Sequence, residues 1–184
     1  LVHVANGLKQ NCPDDEEKDL FELPDYISKM VENNWLGSKS GQGFYKKEKD
    51  ENGKKTILEL DLNTLEYKKS EKVKFPTLEM AKPIEDLKQR TKMLVMGMDK
   101  AGEFYRKIFG GLLAYVSNRI PEISDEFYKI DDALKAGFGW ELGPFESWDL
   151  FGYEQGVKFI KDADKTMGAA IDEMREAEMT SFYK

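Results

Sequence analysis

A mainly α-helical fold with one small β-hairpin insertion is predicted from three observations. Apolar residues recur at helical spacing, most clearly at Ala101, Phe104, Tyr105, Ile108, Phe109, Leu112, Tyr115 and Val116. Prolines and glycines punctuate such segments as starts and stops, as Pro144 and Gly152 do. Only one region alternates with period two. There Ile57, Glu59 and Asp61 interleave with Leu58, Leu60 and Leu62, behind the turn signal Asp50-Glu51-Asn52-Gly53.

Residues 1–10 fit the end of a helix with Val2, Ala5 and Leu8 on one face. A loop over 11–22 carries the acidic run 14–17. Pro24 sits where a first helical turn tolerates it, and Ile27, Met30 and Val31 follow at helical spacing. Gly37, Gly41 and Gly43 end helical structure. Residues 44–49, 55–60 and 62–68 read as short strands. Residues 70–77 read as a connector, with Pro76 barring a continuous helix.

The remainder is predicted to be helical. Residues 79–96 form one helix with Pro83 near its start. A longer helix begins after Met98, has a wide apolar face, and stops near Arg119 before Pro121. Gly110-Gly111 in its middle cost roughly 1 kcal/mol each relative to Ala, so the pair marks a close approach of another backbone. Ile130, Ala133 and Leu134 define a short helix with Gly137 at the left-handed stop. Pro144 opens the next, through Leu150. Val157, Ile160, Ala163 and Met167 define another, and residues 170–178 supply the last.

Composition excludes several function classes. The chain of 184 residues is 40% hydrophobic and 34% charged, the profile of a folded domain rather than a disordered one. Its net charge of −7 argues against a general nucleic-acid surface, which needs clustered Lys and Arg. The one basic stretch, Lys46, Lys47, Lys49, Lys54 and Lys55, is interrupted by Glu48, Asp50 and Glu51 and reads as a solvated hairpin rather than a phosphate site. No apolar run approaches the ~20 residues of a membrane span. The start at Leu1 carries no basic n-region of a signal peptide, and a cytoplasmic setting is expected.

Candidate chemical groups are few. Cys12 is the lone cysteine and has no nearby base to make it a nucleophile. His3 is the lone histidine and has no partner at metal-ligand spacing, so no metal site is expected. Gly41-Gln42-Gly43 leads toward a strand, where a dinucleotide loop would open a helix; a structural turn is the reading. Asp131, Asp132 and Glu122 could be imagined as an acid pair. Adjacent helical side chains diverge by ~100°, however, and helix-surface charge is the expectation. Asn118, beside Arg119, is read as a structural hydrogen-bonding amide. Trp140, Phe145 and Trp148 are read as core rather than a cofactor box.

The triplet Phe44-Tyr45-Lys46 recurs as Phe182-Tyr183-Lys184, each copy after an amphipathic stretch with an acidic residue and a methionine. One unit used twice is implied. The segment from Ile130 through Asp131, Ala133, Gly137 and Gly139, then Gly143-Pro144-Phe145-Glu146 and Asp149-Leu150-Phe151-Gly152, closely resembles the C-terminal domain of 3-hydroxyacyl-CoA dehydrogenases. Trp35-Leu36-Gly37-Ser38-Lys39-Ser40-Gly41-Gln42-Gly43-Phe44-Tyr45 resembles that family's closing motif. The closing motif comes first and the opening motif second. That order is similar to the two helical repeats of multifunctional fatty-acid β-oxidation proteins.

The resemblance implies a 6-phosphogluconate-dehydrogenase-C-terminal-like helical fold. It places the end of one repeat at 1–69, a linker at 70–77 and a second repeat at 78–184. It implies that the chain is the non-catalytic central region of an NAD-dependent enzyme. The catalytic His and Glu and the NAD glycine loop would belong to a Rossmann domain of the same polypeptide, outside these residues; in one subgroup an enoyl-CoA hydratase domain follows. Acyl-CoA is the implied substrate of the parent, and a homo-dimer is expected. Residues inherited from the family are motif residues of the fold alone, with no catalytic, cofactor or metal role. An Asn that assists catalysis in the first repeat would correspond here to a position near Arg106, so Asn118 does not inherit that role. The alternative is a stand-alone helical binding or dimerisation module without a catalytic parent.

Overall fold

The computed structural model describes residues 1–49 and 53–183. The Asp50-Glu51-Asn52 part of the turn signal, and the closing Lys184, lie outside the described residues. The chain divides into two compact units, Leu1–Val73 and Lys74–Lys184. The second is mainly helical, whereas the first combines short helices with a three-stranded antiparallel sheet.

In the first unit, α1 spans Val2–Asn11 and α2 spans Asp25–Glu32. The strands are β1 (Tyr45–Lys49), β2 (Lys55–Leu60) and β3 (Tyr67–Lys69), in the order β1-β2-β3. The third strand is shorter than the expected 62–68. Asp61 explains this: its carboxylate accepts the amides of Asn63 (3.0 Å) and Thr64 (3.2 Å), which turns the chain before pairing resumes. The small core gathers Met30 and Leu60, with Trp35 set edge-on to Tyr67 at 5.5 Å. The Tyr67 hydroxyl donates to the Gly43 carbonyl at 2.6 Å, fastening the glycine loop to the sheet.

In the second unit the expected helix 79–96 is two helices, α3 (Pro76–Ala81) and α4 (Leu87–Met96). Pro83 lacks an amide proton and its ring excludes a preceding helical turn, so the helix breaks there. Asp86 then caps α4 by accepting the Gln89 amide at 2.7 Å. The central α5 runs Lys100–Asn118 and is capped by Asp99, which accepts the amides of Ala101 and Gly102, each at 3.1 Å. The other oxygen of Asp99 accepts the Thr77 amide at 2.9 Å and ties α3 to α5. Hydrogen bonds from Thr77 and from the cap hold the Asp99 carboxyl below its ordinary value.

Helices α6 (Phe127–Phe138), α7 (Pro144–Phe151), α8 (Tyr153–Asp162) and α9 (Ala169–Glu176) complete the unit. Gly139, at φ 68°, holds the left-handed stop of α6, and the expected Gly137 lies inside the helix. The α8 segment stops at Asp162, short of Met167. Trp148, Phe145, Phe159, Leu113, Ile160 and Ile171 are fully buried between α5, α7, α8 and α9. Of the glycine pair in α5, only Gly110 meets another backbone: a Cβ there would lie 2.3 Å from the Phe159 carbonyl oxygen. Gly111 faces open space.

Candidate functional site

The opening motif folds into a clamp around α7. Asp131, on α6, is completely buried. Its two oxygens accept the amides of Phe145 and Glu146, each at 2.9 Å. These are the second and third residues of α7, whose amides have no partner within their own helix. The α7 cap residue is Gly143, which has no side chain to satisfy them, so Asp131 does so from a neighbouring helix. A Cβ on Gly143 would fall 2.2 Å from the Asp131 carboxyl carbon, so this close approach requires glycine. Glu146 supplies the reciprocal bond, accepting the Gly143 amide at 2.7 Å and pairing with Lys135 at 2.9 Å. The expectation of surface charge at Asp131 is therefore corrected. The N-terminus of α7 needs an anion, and α6 inserts one.

The closing triplet completes the clamp. The amides of Phe182 and Tyr183 donate to the two oxygens of Asp149 at 2.8 and 2.9 Å. The Tyr183 hydroxyl donates to Asp131 at 2.8 Å. The Phe182 ring packs against Phe127, Phe145 and Trp148 at 4.9, 4.9 and 5.1 Å. Burial pushes the Asp131 carboxyl upward, against the three donors that favour its ionised form. Burial and the bond to Asp131 push the Tyr183 phenol well above its ordinary value. Burial also works to raise Glu146, but the Gly143 amide and Lys135 outweigh it and hold that carboxyl low. The acceptors of this cluster are aimed at protein donors, so what the arrangement does is lock α6, α7 and the closing Phe182-Tyr183 segment together.

The same local fold appears in the first unit. Helices α2 and α9 are each eight residues long, enter through Pro24 and Gly168 at nearly equal angles, and bury Met30 and Met174. Each is followed by a left-handed residue, Asn34 (φ 57°) or Glu178 (φ 56°). The next amide then bonds back to the methionine carbonyl, Trp35 to Met30 at 2.7 Å and Met179 to Met174 at 2.9 Å. The copies diverge after this point. Residues 36–43 intervene before Phe44-Tyr45, whereas only Thr180-Ser181 precede Phe182-Tyr183. Phe44 is 46% exposed and Tyr45 64% exposed.

The glycine loop of the first unit does not fit a dinucleotide. Its amides are used internally: Gly37 donates to the Gln42 carbonyl (2.9 Å), Gly41 to Ser38 (3.3 Å) and Gly43 to Tyr45 (3.1 Å). The Ser40 hydroxyl accepts the Leu36 amide at 2.9 Å. A Cβ on Gly43 would lie 2.8 Å from the Gly37 Cα, so the loop is packed on itself rather than cupped for a phosphate.

The remaining expected groups are scattered. Asp132 pairs with Lys135 at 3.2 Å and Glu122 with Arg119 at 3.0 Å, so neither forms an acid pair with Asp131. The Asn118 amide donates to the Thr166 carbonyl at 3.1 Å. Arg106 donates to the Val95 carbonyl at 2.8 Å and to that of Gly97, closing the end of α4. Phe145 and Trp148 are core, whereas Trp140 is 40% exposed. It borders a mainly apolar groove of 930 Å³ beside Tyr115, Ile123, Ala133 and Phe138. Cys12 and His3 are both exposed. Among the described residues no group of three or more candidate ligands could hold a metal, and no helix is long and apolar enough to cross a membrane. The roles of Asp149 and Tyr183 escaped the sequence reading. The signal present was the triplet itself, whose aromatic pair must dock on something.

Comparison with known proteins agrees with the resemblance read from the motifs. The chain is 41% identical, over its whole length, to 22% of a Bacillus subtilis (strain 168) protein named "Probable 3-hydroxyacyl-CoA dehydrogenase". A Rickettsia felis protein named as a fatty acid oxidation complex trifunctional enzyme is 28% identical over 75% of the chain and 18% of its own length. A Deinococcus radiodurans protein with the same name as the Bacillus one is 47% identical over 28% of the chain and 14% of its own length. The chain thus spans about a fifth or less of these relatives. No family model matches it, and no solved structure matches it.

Proposed function

We propose that this chain is the non-catalytic central helical region of an NAD-dependent 3-hydroxyacyl-CoA dehydrogenase of fatty-acid β-oxidation. The observation that carries the reading is 41% identity, over the whole chain, to 22% of the length of a protein named as a probable 3-hydroxyacyl-CoA dehydrogenase, joined to a clamp whose buried Asp131 oxygens are taken by protein donors. Each unit would be a 6-phosphogluconate-dehydrogenase-C-terminal-like repeat, with the first represented by its closing part. The motif residues Gly37, Gly41, Gly43, Phe44 and Tyr45 would close the first repeat. Asp131, Ala133, Gly137, Gly143, Pro144, Phe145, Glu146, Asp149 and Gly152 would build the second. The parent would be cytoplasmic and dimeric.

In the parent, the reaction removes a hydride from the 3-hydroxyl carbon, and NAD, when bound, is the acceptor. A His base and an orienting Glu would come from a Rossmann domain of the same polypeptide. These residues would contribute a rigid support for that domain and one wall of the acyl-CoA cleft. An enoyl-CoA hydratase domain is a further expected neighbour. The test is a spectrophotometric assay of NADH formation from a 3-hydroxyacyl-CoA. The 184-residue chain should give no turnover and no NAD binding, while the longer protein containing it should give both. Turnover by the chain alone refutes this division of labour.

The exposed apolar stripe on α5, with Phe104 60% and Ile108 54% exposed, favours a second reading as a stand-alone binding or dimerisation module. A reading frame that lacks a Rossmann glycine motif would select it.

A further inference from the structure

We propose that the first unit carries a docking face for a helical segment built like α5–α7 of the second unit, one that presents an aspartate and an aromatic helix face to Phe44 and Tyr45. The source of that segment, a stretch of the parent polypeptide outside the 184 residues, rests on the reading above; the face itself rests on the two versions of the local fold. In the second unit the aromatic pair is covered. Phe182 sits among the rings of Phe127, Phe145 and Trp148 at 4.9–5.1 Å, and Tyr183 donates its hydroxyl to Asp131. In the first unit the corresponding pair stands at the surface. Phe44 meets Tyr26 edge-on at 6.4 Å but stays 46% exposed, and Tyr45 is 64% exposed.

The preceding helices show the same contrast. α8 comes before α9 and α1 before α2, and both are ten residues long. Tyr153, Val157, Phe159 and Ile160 of α8 are buried, in a helix packed on α5 and α7. No residue of α1 is buried. Leu1, at its cap, Val4 and Leu8 fall within about 60° of one another around the helix axis, and all three are exposed. An apolar stripe is the face by which a helix packs. What such a stripe packs on is visible in the second unit, where it is α5; among the described residues the first unit has no long helix in that place.

The sheet keeps the exposed pair ordered without its cover. The Phe44 carbonyl accepts the Leu60 amide at 2.8 Å, and Tyr45 is held in β1 opposite Glu59. Beside them lies a groove of 380 Å³, lined by Phe44, Tyr45, Glu59, Leu60 and Leu62. Its walls are apolar apart from Glu59 and the phenol, which suits aromatic side chains like those around Phe182. Two exposed apolar faces on one small unit mark an interaction site. The second unit also gives the chemistry of the partner. There the aspartate that takes the tyrosine hydroxyl stands twelve residues before Gly143-Pro144, whose helix supplies the aromatic face. The docking segment is expected to carry an aspartate and a Gly-Pro at that spacing.

The test is hydroxyl-radical footprinting, read by mass spectrometry, of the 184-residue chain and of the longer protein containing it. Val4, Leu8, Phe44 and Tyr45 should each be oxidised several-fold more slowly in the longer protein. Tyr45→Glu and Val4→Glu, at exposed positions on separate elements, should leave the melting midpoint of the 184-residue chain unchanged. In the longer protein either one should restore oxidation of the other face residues. Equal oxidation in the two proteins overturns the proposal, as does protection that survives both variants. Protection that develops in the 184-residue chain alone as its concentration rises gives the face to a second molecule and overturns it too. So does a reading frame with no aspartate and Gly-Pro at the expected spacing before Leu1. The dehydrogenase reading fails separately: turnover without protection removes the face and keeps the enzyme, and protection without turnover does the reverse.

Discussion

Replacing Asp131 by Asn should cost the second unit about 2–3 kcal/mol. The change is nearly isosteric, so packing is held constant. One oxygen still accepts the Phe145 amide. An NH₂ group now faces the Glu146 amide, donor against donor, where an oxygen accepted at 2.9 Å. A buried donor left unpaired costs about 1–3 kcal/mol. Loss of negative charge at a helix N-terminus adds roughly 0.3–1 kcal/mol. Removing a buried charge returns part of this, because burial already penalises the ionised carboxyl. For a unit of this size each kcal/mol moves the melting midpoint by roughly 4–8 °C, so a fall of about 10 °C or more is expected. Near-UV circular dichroism reads it through the fully buried Trp148. The control is Asp132→Asn, on the exposed side of α6, which should stay within about 0.5 kcal/mol. In a double-mutant cycle with Tyr183→Phe, the coupling should reach about 1–2 kcal/mol, because the two side chains touch at 2.8 Å. An Asp131→Asn midpoint equal to that of Asp132→Asn refutes the clamp.

Neighbouring glycines should respond in opposite directions. Gly110→Ala places a methyl 2.3 Å from the Phe159 carbonyl oxygen and should destabilise by more than about 1 kcal/mol, whereas Gly111→Ala meets nothing and should stabilise by up to about 1 kcal/mol; urea midpoints of the two variants decide it. Gly143→Ala should mimic loss of Asp131, since the new methyl and that carboxyl cannot both fit, and a melt as stable as the parent chain would contradict the geometry. Asp61 supplies a pH prediction. Its carboxyl is lowered from 3.8 to about 2, first by the Lys68 hydrogen bond and then by the Asn63 and Thr64 amides. A depressed folded value means that its contribution is present above pH 3.8 and lost as pH falls through about 2. An acid titration of the sheet, followed by circular dichroism, should lose that step in Asp61→Asn.

Local signals in the chain were sufficient wherever neighbours along the backbone settle the conformation. Pro144 and Gly152 bound α7 as expected, because a missing amide proton and a φ of 92° act within one or two residues. Pro83 also acted locally, but it broke a helix where the pattern suggested that it would only open one. Gly137 and Gly139 were equally able to stop α6, and periodicity could not choose between them. The repeat was legible as a triplet. That its aromatic pair docks on Asp131 and Asp149 was not, because those partners lie 33 to 52 residues away in the chain.

Sequence by itself determined the helical class, the small β insertion, the recurring aromatic triplet and the family likeness, since periodicity, turn chemistry and motif spacing are all written in consecutive residues. Tertiary structure alone decided that Asp131 is a buried cap rather than a surface charge. It also decided that only Gly110 of its pair is pressed by another helix. Each of these depends on which groups the fold brings within about 3 Å of one another or onto a common face. A carboxylate next to an exposed one in sequence looks the same whether solvent or three protein donors surround it.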